Sequence, residues 1–320
     1  MKAIVYTQYG SPEALQLEDV AKPTPKDDEA LIKVRAVSVN RSDWEGLRGK
    51  PLYARLGGLL RPRQQILGSD IAGRVEMAGR NVRRFQPGDE VFGDIMPRLG
   101  GFAEYVCARE GALALKPASM TFEEAAAIPQ AAVIALQGIR DNEQVQPGQK
   151  VLINGAGGGA GTFAVQLAKL YGAEVTGVDN TGKLDFMRSF GADHVIDYTQ
   201  EDFTKNGNQY DLILDIVAHR SVFAYKRALG FNGSYFLAGG SVATMLQILL
   251  LGPWIRRTTG KKIRILVVRP NIEDIDFMKV LIEAGKVTPV IDKTYPLSAV
   301  PEAIGYVGEG QVQGKVIITV

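Results

Sequence analysis

A chain of 320 residues is longer than one hydrophobic core readily fills, so two domains are expected. With 46% apolar and 22% charged residues it is neither disordered nor fibrous, and 37 Lys plus Arg against 35 Asp plus Glu leave a net charge of +2, too small for a global field that attracts nucleic acid or an anionic membrane. The single cysteine, Cys107, excludes an internal disulfide and fits a reducing, cytoplasmic setting; acidic residues in "MKAIVYTQYGSPEALQLEDV" arrive too early for a secretory signal.

The first 119 residues read as β-structure: "KAIVY", "EALIKVRAV", "DIAGRVEMAG", "DEVFGDI" and "GFAEYVCA" are short β-branched runs separated by Pro, Gly and Asp turns. One helix interrupts them, where Ser42 and Glu45 at capping-box spacing predict a start near Asp43 and Gly49 an end. From about residue 120 the rhythm changes. "TFEEAAAIPQAAVIALQGI" is helical, and then strands "KVLINGA", "EVTGVD", "HVIDY", "DLILDIV" and "GSYFLAG" alternate with helices "GTFAVQLAKLYG", "KLDFMRSFG" and "SVFAYKRAL". Strands that are apolar almost throughout, alternating with helices, predict a doubly wound parallel sheet and an α/β fold.

The most apolar stretch, residues 235 to 254, is interrupted by Gly239, Gly240, Gly252 and Pro253. It reads as a buried strand, a turn and a short apolar helix, with a membrane-surface role as the alternative. A strand "RILVV", a helix "IEDIDFMKVLIEAG" and a last strand "KVIITV" follow.

The densest motif is "INGAGGGAGTFAVQ", residues 153 to 166, immediately after a strand and opening a helix. Gly155, Gly157 and Ala160 fit G-x-G-x-x-A, and Gly155, Gly158 and Gly161 fit G-x-x-G-x-x-G, with Gly159 completing the run. Stripped of side chains, this backbone can approach a pyrophosphate seated on the helix N-terminus. A bare packing turn is the alternative; no Gly-Lys-Ser/Thr follows, so a triphosphatase loop is disfavoured.

"GAGGGAGTFAVQLAKLYGAEVTGVD" with "FGADHVIDY", preceded by "PGDEVFG" and "GGFAEYV" and followed by "YDLILDIV", "LIEAGKVTPVIDKTYPL" and "GKVIITV", resembles the medium-chain dehydrogenase/reductase superfamily, and within it the zinc-free, zeta-crystallin-like quinone oxidoreductase branch. The resemblance runs from the first strand to the last residue. It implies a GroES-like β-rich catalytic domain over 1–119, completed by 262–320, and a Rossmann cofactor domain over 120–261. It also implies an active site in the cleft and a homodimer.

Counting donors addresses the metal. Zinc in this superfamily is held by cysteine and histidine. This chain has one Cys and two His, and both His194 and His219 fall in the cofactor domain. The expected first ligand position reads Asn40, and the usual "GHE" reads "GSD", residues 68 to 70. Without a Lewis acid to hold an alkoxide, oxidation of a simple alcohol is disfavoured. The expected reaction is hydride transfer to a quinone or to the C=C of an α,β-unsaturated carbonyl, whose developing negative oxygen needs oriented donors.

The resemblance places Asn40 beside nicotinamide and substrate, with a polar turn residue as the plainer reading. Asp43 and Tyr53 are further catalytic candidates; a helix first turn and an exposed domain-edge aromatic are their plainer readings. Val133, Ile134 and Ala135 replace the Gly-Leu-Thr-Ala usual on the helix facing the nicotinamide, which implies a more apolar wall. Gly240 and Ser241 are expected near the nicotinamide end. For the cofactor, Asp179 ends the second Rossmann strand, where a carboxylate holds the ribose hydroxyls of NADH, whereas Lys183 and Tyr198 stand where related NADPH users hold the 2′-phosphate. Both cofactors are expected, NADP(H) modestly preferred over NAD(H), because an exposed carboxylate is screened.

Basic clusters at Arg48 to Arg63 and at "RRTTGKK", 256 to 262, raise an RNA-binding role, and a nucleotide-binding sensor with little turnover is a third reading. Steady oxidation of reduced cofactor by an enone separates the enzyme from both.

Overall fold

The β-branched runs of the N-terminal part do form strands, and the computed structural model describes residues 1–55, 58–141 and 145–320. In chain order the first part holds β1 (Lys2–Val5), β2 (Gln16–Asp19), β3 (Glu29–Val39), α1 (Arg41–Arg48), β4 (Asp70–Ala78), β5 (Glu90–Asp94), β6 (Tyr105–Arg109), β7 (Ala114–Leu115) and α2 (Phe122–Ala126). After α3 (Pro129–Leu136) come β8 (Lys150–Asn154), α4 (Gly159–Leu170), β9 (Glu174–Asp179), α5 (Leu184–Ser189), β10 (His194–Asp197), β11 (Tyr210–Asp215), α6 (Val222–Ala228), β12 (Leu229–Leu237), α7 (Val242–Thr259) and β13 (Lys262–Ile265). The last part holds α8 (Ile272–Glu283), β14 (Ile291–Pro296), α9 (Val300–Gly308) and β15 (Lys315–Thr319).

Two compact units result. One comprises Met1–Gln130, Pro270–Glu283 and Pro289–Val320; the other comprises Ala131–Arg269 and Ala284–Thr288. The borders at 130/131 and 269/270 differ from the expected 119/120 and 261/262. Residues 262–265 form β13, which pairs with β12 in the parallel sheet, so this segment stays with the cofactor unit.

The first unit is built on β3. Its sheet runs β14-β15-β3-β4-β5-β7, and β6 pairs with the first half of β3 while β15 pairs with the second half. The inner face buries Ile4, Ile32, Val34, Ile71, Val91, Phe102 and Val316, with Val300, Ala303 and Ile304 of α9 packed on it. Each such side chain removed from water contributes about 1.5–3 kcal/mol. β2, β7, β14 and α9 are elements the sequence reading did not assign. β2 is exposed at every position, so it carries no buried face to show in the pattern.

In the second unit six parallel strands are ordered β10-β9-β8-β11-β12-β13, the doubly wound order. Buried runs such as Val151, Leu152 and Ile153 in β8 and Leu212, Ile213 and Leu214 in β11 explain why both faces need helices.

Two local expectations are corrected. α1 starts at Arg41, and its cap is Asn40 with Asp43 as the third helical residue, two residues before the Ser42–Glu45 pair. α7 runs for 18 residues through Gly252 and Pro253, which had read as breakers. Gly252 is in the helix because of a close approach: a Cβ there would stand 2.6 Å from the carbonyl oxygen of Ile263 in β13. Pro253 is exposed, so the carbonyl its missing N–H leaves free can face water.

Helix propensity alone makes Gly252→Ala stabilising by about 1 kcal/mol. The contact with β13 reverses the sign, and a net loss of about 1–2 kcal/mol is expected in urea unfolding; a more stable variant contradicts this packing.

Candidate active site

In the first unit, four acidic or amide side chains and one lysine converge behind the start of α1. Asp43 is buried and braces the turn: its carboxylate accepts the N–H of Asn40 at 2.8 Å and of Gly68 at 2.9 Å. Burial pushes its carboxyl up to about 6, against these two hydrogen bonds and the charge of Lys315. Since Asp43 caps Asn40's backbone, the Asn40 side chain is not needed at the helix end and makes no capping bond.

The Asn40 amide is held from both sides instead. Its Oδ1 accepts from Lys315 Nζ at 2.5 Å, and its Nδ2 donates to Asp70 Oδ2 at 3.0 Å. Turning the amide over would set NH₂ against the ammonium of Lys315, so the orientation is fixed. One Nδ2 hydrogen goes to Asp70 and the other remains as a donor.

Lys315 is 3% exposed, on β15, the last strand. Desolvation pulls its ammonium down, and Asp70, Asp43 and Asp94 oppose this. Asp70, fully buried at the start of β4, also accepts the Gln130 N–H, and its Oδ2 lies 3.9 Å from Lys315 Nζ. Desolvation, then the charge of Asp94, raises its carboxyl far above the ordinary range. Asp70 and Asp94 are directly opposed on β4 and β5, and Ser38 on β3 opposes Asp70.

Among the described residues the buried side-chain polar atoms without a partner are Ser38 Oγ, Ser69 Oγ and Asp70 Oδ1. All three stand in this one neighbourhood. Orphaned buried polar atoms cost about 1–3 kcal/mol each, so their clustering here marks a candidate site.

Zinc does not fit this donor set. The positions where the resemblance expects ligands hold Asn40, Ser69 and Asp70, a lysine ammonium contacts the Asn40 oxygen, and among the described residues no group of three or more His, Cys, Asp or Glu side chains could hold a metal ion. Tyr53 stands apart from the cluster: it is 41% exposed, and its hydroxyl donates to Glu45.

The second unit carries its own candidate site along the carboxyl ends of the parallel strands. Gly155 leaves β8 at φ +88°, and α4 begins at Gly159 with Gly158 as a cap that has no side chain to offer. At Gly161 a Cβ would lie 2.2 Å from the Gly155 carbonyl oxygen, so only glycine lets the helix start this close to the strand. The uncapped first-turn N–H groups at Gly159 and Ala160 are donors for a pyrophosphate, and the cradle fits a dinucleotide.

Asp179 and Lys183, which the sequence set against one another, form a buried ion pair: Lys183 Nζ is 3.2 Å from Asp179 Oδ1, with the residues 5% and 7% exposed. Asp179 Oδ2 also accepts the Gly157 N–H at 3.0 Å, so the carboxylate ties the glycine loop to the end of β9. The expectation of an exposed, screened Asp179 is therefore corrected. Tyr198 follows β10 beside them, its N–H donating to the Asp179 carbonyl, with its side chain half-exposed. Gly240 and Ser241 stand at the same edge after β12. Gly240 bridges to Ala218, and Ser241 caps α7 by accepting the Thr244 N–H at 3.1 Å. Val133 and Ala135 of α3 are buried.

Comparison with known proteins follows this geometry. Residues 26–118 match the alcohol dehydrogenase GroES-like domain, and residues 190–318 match the zinc-binding dehydrogenase family. A 2-methylene-furan-3-one reductase of Solanum lycopersicum is 36% identical, covering 99% of this chain and 79% of its own. An NADPH-dependent alkenal/one oxidoreductase of Arabidopsis thaliana, chloroplastic, is 32% identical over the same shares. The quinone oxidoreductase of Coxiella burnetii superposes with a TM-score of 0.91 at 29% identity, covering 100% of this chain and 99% of that one. A GroES-like unit and a parallel-sheet dinucleotide unit in one chain define a two-unit dehydrogenase or reductase. The chain belongs to the medium-chain dehydrogenase/reductase superfamily, in its quinone-oxidoreductase-like branch.

Sequence reasoning missed Lys315 and the pair Asp70–Asp94. The signal was present: two acids at the ends of apolar strands need a buried cation, and "GKVIITV" supplies one. Lys315→Met leaves Asp70 uncompensated, and a loss of about 3–5 kcal/mol in urea unfolding is expected. Adding Asp70→Asn removes the stranded charge and should recover part of the loss; no recovery contradicts the pairing.

Proposed function

We propose that this chain is a zinc-independent NAD(P)H-dependent reductase acting on quinones or on the C=C of α,β-unsaturated carbonyls. The observation that carries the reading is the Asn40 amide, fixed by Lys315 and Asp70 with one N–H left over. The names of relatives as a furanone reductase and an alkenal/one oxidoreductase support the substrate class.

When bound, the reduced nicotinamide supplies a hydride for the β-carbon. The chain's own residues do the rest. Asn40 donates its free amide hydrogen to the carbonyl oxygen, where negative charge builds. Lys315, bonded to the other end of the amide, polarises it, so that donor strength grows with the charge it meets. Asp43 holds the turn that carries Asn40. Simple alcohols are expected to be poor substrates because Asn40, Ser69 and Asp70 are a poor donor set for a Lewis-acidic metal that would hold an alkoxide.

Comparing an enone, a quinone and a small alcohol tests this reading. Enone or quinone turnover should dominate, and Asn40→Ala should lower kcat by about 10²–10³, the cost of one oriented oxyanion donor. Equal alcohol turnover overturns the substrate class, and an unchanged Asn40→Ala rate removes that residue from the site.

Both cofactors bind, NADPH with modest preference. Gly155, Gly158, Gly159, Ala160 and Gly161 hold the pyrophosphate, Asp179 the adenosine ribose, and Lys183 with Tyr198 the 2′-phosphate; the relative described as NADPH-dependent supports this order. In the ion pair, Asp179 moderates both its own repulsion of a phosphate and the pull of Lys183. Lys183→Ala should lower kcat/KM for NADPH by roughly tenfold or more, with little change for NADH. Asp179→Ser should raise the NADPH value and lower the NADH value. A strong parental preference for NADH, indifferent to Lys183, overturns the assignment.

A further inference from the structure

The parallel sheet changes direction between β8 and β11: β9 and β10 lie beyond β8 on one side, β12 and β13 beyond β11 on the other. Above the carboxyl ends of two such strands a crevice opens, and dinucleotides lie across it. Asp215 is the last residue of β11 and is opposed in register to Asn154, the last residue of β8. It is fully buried and follows Leu212, Ile213 and Leu214, so a carboxylate here is costly unless its oxygens are bonded. Oδ1 accepts Asn154 Nδ2 at 2.8 Å and the Val217 N–H at 3.1 Å, and Oδ2 accepts the Tyr235 hydroxyl of β12 at 2.9 Å. Asp215 therefore joins three adjacent strands to the turn that leaves its own.

That turn is held along its length. The Ile216 N–H donates to the Asn154 carbonyl at 3.0 Å, and the His219 and Arg220 N–H groups donate to the Tyr225 hydroxyl of α6 at 3.1 and 3.0 Å. The Tyr225 ring stacks on Tyr235 with centroids 4.3 Å apart, and its hydroxyl bonds to Asp215, so the group that carries the turn belongs to the same cluster. The Ala218 N–H donates to the Gly239 carbonyl at 2.9 Å, the Ala218 carbonyl accepts the Ser241 N–H at 2.8 Å, and the Asp215 carbonyl accepts the Ala238 N–H at 2.8 Å. One buried carboxylate thus fixes residues 216–220 and 238–241 against Asn154, whose next residue, Gly155, opens the glycine loop.

We propose that Asp215 is a positioning residue for the nicotinamide half of the cofactor: it sets the spacing between the glycine loop, which takes the pyrophosphate, and the 216–220 and 238–241 segments, which receive the nicotinamide and its ribose. The inference rests on the cofactor reading proposed above. Asp215 touches no reacting atom and acts through the backbone it holds. The adenosine end falls to Asp179, Lys183 and Tyr198, which are tied together by bonds that do not include Asp215. Loss of Asp215 therefore loosens one half of the dinucleotide and spares the other.

Calorimetric titration of the full chain with NADPH and with 2′,5′-ADP, which carries the adenosine half alone, tests this. Asp215→Ala should weaken NADPH by at least about tenfold and 2′,5′-ADP by less than about twofold, and kcat for an enone should fall as the nicotinamide loses its alignment. A general loss of stability weakens both ligands alike, so their ratio separates positioning from folding. Asp215→Asn should restore NADPH binding to within about threefold of the parent, because its Oδ1 keeps Asn154 and Val217 while the Tyr235 hydroxyl turns to accept from Nδ2. Tyr235→Phe keeps the core filled and removes one donor; it should weaken NADPH about threefold with 2′,5′-ADP unchanged, and it decides the outcome if Asp215→Ala does not fold. A parent that fails to bind NADPH or 2′,5′-ADP overturns the cofactor reading, and this inference with it. Parental NADPH binding that survives Asp215→Ala or Tyr235→Phe unchanged, equal weakening of 2′,5′-ADP, or an Asp215→Asn variant as weak as Asp215→Ala overturns the inference alone.

Discussion

The catalytic unit depends on one buried ammonium. Asp43 lies in the first turn of α1, and Asp70 and Asp94 lie at strand ends, and burial of these three carboxyls without a cation would be costly. Lys315 offsets that cost, and in doing so touches Asn40. Fold and chemistry therefore meet in one contact: the charge that lets the sheet close is the charge that orients the amide. The unpartnered atoms of Ser38, Ser69 and Asp70 lie beside the same network.

A similar coupling operates in the cofactor unit. Asp179 bonds at once to the glycine loop, to Lys183 and, through its backbone, to Tyr198. The glycine loop, Asp179, Lys183 and the Tyr198 backbone are thus one hydrogen-bonded assembly. A change at Asp179 alters loop position as well as charge, which distinguishes it from a free carboxylate at the same place.

Much of this was legible in the sequence where a residue's role is local. The glycine run, the alternation of apolar strands with helices, and Asn40 preceding a helix all depend on neighbours within a few positions. Four things were not legible. The helix cap was misplaced because Ser42–Glu45 and Asn40–Asp43 both have the right spacing, and only the contact of Asp43 with Gly68 decides between them. Gly252 read as a breaker because its reason, the Ile263 carbonyl, belongs to another strand. Asp179 and Lys183 read as rivals because four residues of separation do not reveal that both are buried. Lys315 lies 275 positions from its partner Asn40, beyond any local pattern.

That separation governs how the protein is made. β3 needs β15 along its second half, and β14 beyond it, before the first unit's sheet is complete. All six strands of the parallel sheet lie between residues 150 and 265 and leave the ribosome earlier. The middle of the chain can therefore finish folding while the first unit still lacks its edge and its lysine, inverting the usual N-to-C order of domain completion. Until β15 has emerged, Val37 and Val39 of β3 lack their partners on that side, an open edge that another strand could pair with.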